Sequence, residues 1–296
     1  MDRGAFYVFL AALLFSMQPV FIKFGSAEVP PLLFFPLRLL GTLAVFIPLA
    51  FHFKKEFRAE ARQWKKFLLP AIFVFGAISL FTVSVFFTAN ATLTALVTKS
   101  NAVLIPLLTA AFFIEERRIL FTRRFLLGVT LAAAGVIGVV LGGGTLSLTL
   151  GIGVLLVLAS QVCWSLYSVS IKRLISRKSR LQILTFIFPL AFLFSLPFAS
   201  YEAGVLGNAF TPLFLLVPVA SGIVLGLANV MQFRAIESKG LIVTNAFSLT
   251  MPLYTGIMGL ALFGEILSPL QFFFGCILLA GAFFIIRCKC DVRSVD

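Results

Sequence analysis

Long runs of apolar residues alternate with short polar connections along the whole chain. The runs lie at 5–24, 31–52, 67–87, 92–114, 124–141, 151–171, 182–200, 213–233, 241–263 and 270–287. Most are close to or longer than the about 20 residues that a helix needs to cross the hydrocarbon of a bilayer. A membrane β-barrel would show segments of about 10 residues with alternating polarity, whereas these runs are continuously apolar. The pattern predicts an all-α integral membrane protein with ten transmembrane helices.

The composition agrees with this prediction and limits the classes of function. Hydrophobic residues make up 60% of the chain and charged residues 12%, against about 45–50% and about 25% in soluble domains. Almost no room is left for a soluble domain. A net charge of +13 would suggest nucleic-acid binding in a soluble protein, but here the basic residues suit contact with anionic lipid headgroups of the bilayer. No nucleic-acid partner is expected.

The basic residues fall almost entirely on one side of the predicted helices. The N-terminal tail, the even-numbered connections and the C-terminal tail hold Arg3, Lys54, Lys55, Arg58, Arg62, Lys65, Lys66, Arg117, Arg118, Arg123, Arg124, Lys172, Arg173, Arg177, Lys178, Arg180, Arg234, Lys239, Arg287, Lys289 and Arg293. The odd-numbered connections hold only Lys23, and Arg38 and Lys99 lie within predicted spans. Because Lys and Arg resist translocation, both termini are predicted to be cytoplasmic, in the inner (plasma) membrane.

The chain contains an internal repeat of five spans. Segment 15–23, FSMQPVFIK, matches segment 164–172, WSLYSVSIK, with Lys23 and Lys172 at the same place in each. We expect a first repeat over 1–141, a Gly-rich junction over 142–150, a second repeat over 151–287 and a cytoplasmic tail over 288–296. Because five is odd, the second repeat enters the membrane upside down. Inverted repeats are typical of transporters, in which two opposed halves exchange inward-open and outward-open states.

These features resemble the EamA-type branch of the drug/metabolite transporter superfamily. The resemblance rests on the matching start of each half, on Arg38 within PLRLLGTLAVF and on Glu116 after the fourth span. Its strongest part is MPLYTGIMGLALFGEILSPLQFFFGCILLAG (251–281), a Pro, an apolar run, Gly-Glu and a Gly-rich helix. The resemblance implies ten helices in two inverted halves around a central cavity, and a cargo among amino acids, other metabolites, nucleotide sugars or drugs.

Two cations inside predicted spans are the first candidates for a binding site, since a charge in hydrocarbon is costly and needs a reason. Lys99 has Ser248 as its counterpart in the second half, so its charge is present in only one half. It is expected either to bind an anionic group of a substrate or to extend its stem to the outer interface. Arg38 is interpreted as a brace that bonds backbone carbonyls of neighbouring helices, with substrate binding as the alternative.

Polar and aromatic residues in the spans complete the candidate substrate site. Buried amides usually need partners across helices, whereas Ser and Thr can bond within their own helix. Trp164 and Tyr167 lie on one helical face and suit either stacking on a substrate or helix packing. The full set of candidates is Gln18, Arg38, Lys99, Asn101, Trp164, Tyr167, Asn245 and Ser248.

The sequence predicts a secondary transporter of small polar or amphipathic metabolites such as amino acids, an exporter or exchanger. The alternatives are a carrier for phosphorylated or nucleotide-linked sugars, or, in another class, a channel or membrane enzyme. The sequence shows no cluster of metal ligands, no phosphate-binding loop and no nucleophile–His–acid set. Neither catalysis nor a cofactor or metal is therefore expected. The expected partners are a small-molecule substrate and the lipid bilayer, and a homodimer is left open.

Overall fold

The computed structural model describes residues 3–52, 64–113, 120–142, 148–174, 180–206 and 212–293. Within these ranges every regular element is a helix. In hydrocarbon each backbone N–H and C=O has to be bonded internally, and a helix achieves this within one segment. The helices are α1 (Arg3–Gly25), α2 (Pro31–His52), α3 (Lys65–Thr88), α4 (Ala91–Val97), α5 (Asn101–Phe112), α6 (Arg123–Leu141), α7 (Leu148–Leu174), α8 (Arg180–Leu206), α9 (Pro212–Ser248), α10 (Met251–Phe263) and α11 (Pro269–Arg293).

These helices confirm the predicted all-α membrane class. Nine segments of the described chain are long and apolar enough to cross a membrane, and Met251–Phe263 is a shorter apolar helix. The predicted division between the spans at 213–233 and 241–263 is present, because α9 consists of two helical parts that meet at one non-helical residue. That residue is Gly240, with φ 82° and ψ 162°, a conformation that glycine adopts without a steric penalty.

The helix that starts at Ala91 is tightened in its middle. Residues Thr98–Ser100 form one turn of 3₁₀-helix between α4 and α5. The corresponding segment of the second half is interrupted by a turn at Leu249 and Thr250, between α9 and α10. Mid-helix 3₁₀ turns often mark functional hinges, and here both interruptions occur close to the 149-residue offset that relates the two halves.

The packing of the helices is almost symmetric between the halves. α1 packs on α9 and α3 on α7, α2 packs on α8, and α6 packs on α11. Exchanging the first five predicted spans with the last five converts the α1–α9 pair into the α7–α3 pair. The same exchange leaves the α2–α8 and α6–α11 pairs unchanged.

Glycine allows α6 and α11 to approach closely. A Cβ at Gly135 would lie 2.6 Å from the backbone N and Cα of Leu278, and one at Gly281 would lie 2.7 Å from the carbonyl oxygen of Gly128. Small residues at such positions let membrane helices pack backbone to backbone.

Two sequence predictions concern residues outside the described ranges. The basic segment FKKEFRAEARQWKK over 53–66 predicts an amphipathic helix at the membrane interface. These residues lie outside the described ranges apart from Trp64–Lys66, of which Lys65 and Lys66 begin α3. Most of the Gly-rich junction is likewise outside, although Gly142 is described as the C-cap of α6.

Candidate binding cavity

A cavity of about 700 Å³ lies between the two halves. We call the side of the molecule with the N-terminus and the basic connections the basic face, and the opposite side the far face. α7 and α9 contribute to the wall mainly through the parts that lead toward the basic face, Gln161–Ile171 and Leu225–Ile236. The cavity therefore extends from the middle of the molecule toward the basic face.

All of the candidate residues predicted from the sequence line this one cavity: Gln18, Arg38, Lys99, Asn101, Trp164, Tyr167, Asn245 and Ser248. They come from α1, α2, α5, α7, α9 and the 3₁₀ turn, which are distant in sequence. Their shared location makes a common role in binding geometrically feasible, and the role of each remains a prediction.

Lys99 is buried in the 3₁₀ turn, with 5% of its surface exposed. Its Nζ donates to the Sδ of Met251, the first residue of α10, over 3.1 Å. A thioether is a weak acceptor, and in the described chain Lys99 makes no ion pair. The ammonium thus lines the cavity where the interruptions of the two repeat-related helices meet, and it does not extend to the outer interface.

Arg38 is buried at 2% exposure and joins three helices. Its Nη2 donates to Oε1 of Gln18 on α1 at 2.6 Å, and its Nη1 donates to Oγ1 of Thr82 on α3 at 3.0 Å. The predicted brace is present, although its acceptors are side-chain oxygens. The sequence predicted bonds to backbone carbonyls, whereas the acceptors that the described chain shows are the amide oxygen of Gln18 and the hydroxyl of Thr82.

Two aromatic side chains of α7 form part of the wall. The rings of Trp164 and Tyr167 lie 5.3 Å apart at 49°, and both line the cavity together with Phe15 and Phe81. The hydroxyl of Tyr167 is buried without a hydrogen-bond partner, as is Nε of Arg38. Both atoms can donate a hydrogen bond, so these two wall residues carry buried donors that the described residues do not satisfy.

The hydroxyl groups of the site mostly bond within their own helices, as expected. Ser248 donates to the carbonyl of Asn245 at 2.7 Å, and Thr98 donates to the carbonyl of Ala95 at 2.7 Å. An exception is Thr255 on α10, whose hydroxyl donates to the carbonyl of Ser16 on α1 at 2.8 Å.

Sequence reasoning missed Met251 and Thr255 as wall residues, although both belong to the quoted segment MPLYTG.

Sequence reasoning also missed an ion pair at the far face. Lys23 at the end of α1 contacts Glu265, in the connection after α10, at 2.7 Å. Both residues stand at helix ends in the sequence, and 242 positions separate them.

The Glu265 carboxylate accepts further hydrogen bonds from the start of α4. They come from the N–H of Ala91 at 2.7 Å and from the N–H and hydroxyl of Thr92 at 2.9 and 2.6 Å. Desolvation raises the pKa of Glu265, but the hydrogen bonds from Lys23, Thr92 and Ala91 outweigh it and hold the pKa below its ordinary value. The carboxylate is therefore charged at neutral pH.

The helical fold and the central cavity define a polytopic membrane protein with a polar site between two sets of helices. The model of the EamA-like transporter family matches the chain twice, over residues 2–141 and 151–287. The chain belongs to the EamA-like transporter family, and it is a multi-pass membrane transporter of small molecules.

A solved crystal structure has the same fold. It is 20% identical in sequence, covers 96% of this chain and 96% of its own, and superposes with a TM-score of 0.65. At this identity the similarity shows the fold alone. None of the curated proteins matches the chain.

Proposed function

We propose that this protein is a secondary carrier of small organic anions that have an apolar body, such as carboxylates of the size of amino acids. The observation that carries the proposal is Lys99, a buried cation on the cavity wall whose hydrogen-bond partner is a thioether. Burying a charge is unfavourable unless it is paired. An anionic cargo would supply the missing partner.

The wall around Lys99 supports this class of cargo. The wall residues Tyr167 and Arg38 also carry buried donors, a hydroxyl and Nε, that have no partner among the described residues, and an anion accepts hydrogen bonds from several donors at once. None of the described wall residues is Asp or Glu, so no carboxylate of the wall competes with the cargo. Phe15, Phe81 and Trp164 offer apolar surface for the rest of the molecule.

Transport is proposed to proceed by alternating access between two inverted halves. Two observations support this mechanism. The family model matches each half of the chain, and the pairs of packed helices are preserved when the two halves are exchanged. In this interpretation residues 241–263 form the ninth of ten crossings, both termini are cytoplasmic, and the protein resides in the inner (plasma) membrane as an exporter or exchanger.

A carrier for phosphorylated or nucleotide-linked sugars is the second candidate, because Lys99 and Arg38 line the same cavity. The carboxylate class is favoured, since two nitrogens of Arg38 are already bonded to Gln18 and Thr82. A phosphate would have to compete with those bonds.

Counter-flow in proteoliposomes tests the proposal. Purified protein is reconstituted with an unlabelled compound inside, and uptake of the same labelled compound is followed for amino acids, other carboxylates, sugar phosphates and neutral sugars. We expect saturable counter-flow for at least one carboxylate. Saturable flux of sugar phosphates alone would select the second candidate, and linear flux without counter-flow would indicate a channel and contradict the carrier.

A further inference from the structure

The contacts of Glu265 fasten three segments of the chain together at one point. We call Lys23, Ala91, Thr92 and Glu265 the Glu265 cluster. One carboxylate oxygen accepts from Nζ of Lys23 and the N–H of Ala91, and the other accepts from the N–H and hydroxyl of Thr92. The side chain of Glu265 is only 4% exposed, so its charge depends on these donors rather than on water.

The cluster lies at the far face, at the ends of helices that also form the cavity. α1 ends at Gly25, α4 begins at Ala91 and α10 ends at Phe263, all next to the cluster. Farther along, the same three segments supply Ser16, Thr98 and Met251 to the cavity wall. Beside the cluster, an apolar group of Ile22, Val29, Leu33, Phe34, Val85 and Val217 packs between the far ends of α1, α2, α3 and α9.

We propose that the Glu265 cluster is the closure of the far face and that it separates whenever the cavity opens to that side. The proposal rests on the carrier function proposed above, since only a carrier has to expose its cavity to both faces in turn. Opening the far face requires the ends of α1, α4 and α10 to move apart. The four hydrogen bonds of Glu265 join those ends and would break together.

We expect the closure to be either fully bonded or fully open, without stable partly open states. A buried carboxylate that loses some of its donors is left with an unpaired charge, which is strongly unfavourable until water reaches it. Partial opening is therefore disfavoured relative to either the fully bonded or the fully hydrated state. Such bistable contacts turn small shifts into discrete conformational changes.

The sequence contains the same pair of residue types in the other half. Lys172 and Glu116 stand 149 residues from Lys23 and Glu265, respectively. Glu116 and the side chain of Lys172 lie outside the described structure. The repetition in sequence indicates that a Lys–Glu pair is part of the repeat itself, as expected of an element needed by both halves.

Gly259 on α10 makes the close contact of the cluster feasible. A Cβ at this position would lie 2.6 Å from Oε2 of Glu265 and 2.7 Å from Oγ1 of Thr92. Gly259→Ala should force these two oxygens apart without removing a charge. Gly256, one turn earlier, is a matched control, because its Cβ would meet only Cγ2 of Thr92 at 3.4 Å.

Thiol labelling from each side of the membrane tests the closure. A cysteine replaces Thr98 in a full-length chain with its four native cysteines changed to serine, and a membrane-impermeant reagent is applied to intact cells and to inverted vesicles. Ala27→Cys, in the exposed connection after α1, identifies the far face.

We expect Glu265→Gln and Gly259→Ala to raise far-face labelling of Thr98→Cys about tenfold by shifting a two-state equilibrium. Gly256→Ala should behave as the unmodified protein does.

The outcomes separate this proposal from the carrier function. Unchanged far-face labelling in monodisperse Glu265→Gln and Gly259→Ala proteins would overturn the closure, even if counter-flow is normal. Raised labelling in both variants, with no saturable flux for any compound, would support the closure and contradict the proposed cargo. If Glu265→Gln does not fold, Gly259→Ala compared with Gly256→Ala decides the question, since that pair retains every charge.

Discussion

Lys99 and Arg38 are both buried cations of the cavity wall, yet their surroundings differ. Arg38 bonds oxygens of Gln18 and Thr82 on two other helices, whereas among the described residues Lys99 reaches only the sulfur of Met251. A cation that joins helices stabilises the fold, while a buried cation with a weak partner costs stability. The two residues therefore predict opposite effects on stability.

Lys99→Met is expected to raise the melting temperature of the purified protein by a few degrees, because it removes a poorly paired buried charge. Arg38→Met is expected to lower it by several degrees, because Gln18 and Thr82 lose their partner and three helices lose a link. Thermal unfolding in one detergent, without added substrate, measures both. Lys65→Met, at the exposed start of α3, is the control and should change little. A lower melting temperature for Lys99→Met would indicate a structural role for Lys99.

At the scale of elements, the α6–α11 pair depends on glycine. The Cβ of an alanine at 135 would overlap the backbone of Leu278, so the two helices would have to separate. No described residue lies within 4 Å of the corresponding position at Gly151 on α7, which provides a matched site for the same substitution.

We predict that Gly135→Ala destabilises the protein by about 1–3 kcal/mol, the usual cost of overpacking. Gly151→Ala is predicted to be neutral or slightly stabilising, since alanine favours helix. Thermal unfolding in a single detergent compares the two variants. Equal stabilities would mean that α6 and α11 do not approach as closely as described.

The helices themselves follow from the sequence, because continuous apolar runs of this length have one backbone solution in a bilayer. Their interruptions do not follow so directly. The break at Gly240 coincides with the predicted connection between the spans at 213–233 and 241–263, whereas the 3₁₀ turn at Thr98–Ser100 carries no Gly or Pro. Tertiary packing decides the position of that turn, so periodicity cannot locate it.

The cavity wall was predictable in part. The candidates stood out because polar and charged groups are rare in apolar spans, and the structure brings them together. Met251 escaped notice since methionine is common in such spans. The Lys23–Glu265 contact escaped because residues at helix ends usually face water, and only the fold brings these two ends together. The functional roles of the wall residues remain predictions.

The whole molecule combines an asymmetric charge with a nearly symmetric frame. The pairs of packed helices are preserved when the two halves are exchanged. The proposed alternation between an inward-open and an outward-open state needs such a frame. Lys99 breaks the symmetry, since its counterpart in the other half is Ser248. On the proposed mechanism, a single anion site that serves both states needs only one such cation, and Lys99 lies where the two halves meet.

The central claim is that Lys99 binds the anionic group of the cargo, and counter-flow kinetics test it most directly. With a carboxylate that the unmodified protein exchanges, Lys99→Met should lower kcat/KM by about 10- to 100-fold, the equivalent of one charge-assisted hydrogen bond. Lys99→Arg should retain part of the activity, and Lys65→Met should retain all of it. A Lys99→Met protein that exchanges the carboxylate with unchanged kcat/KM would contradict the account.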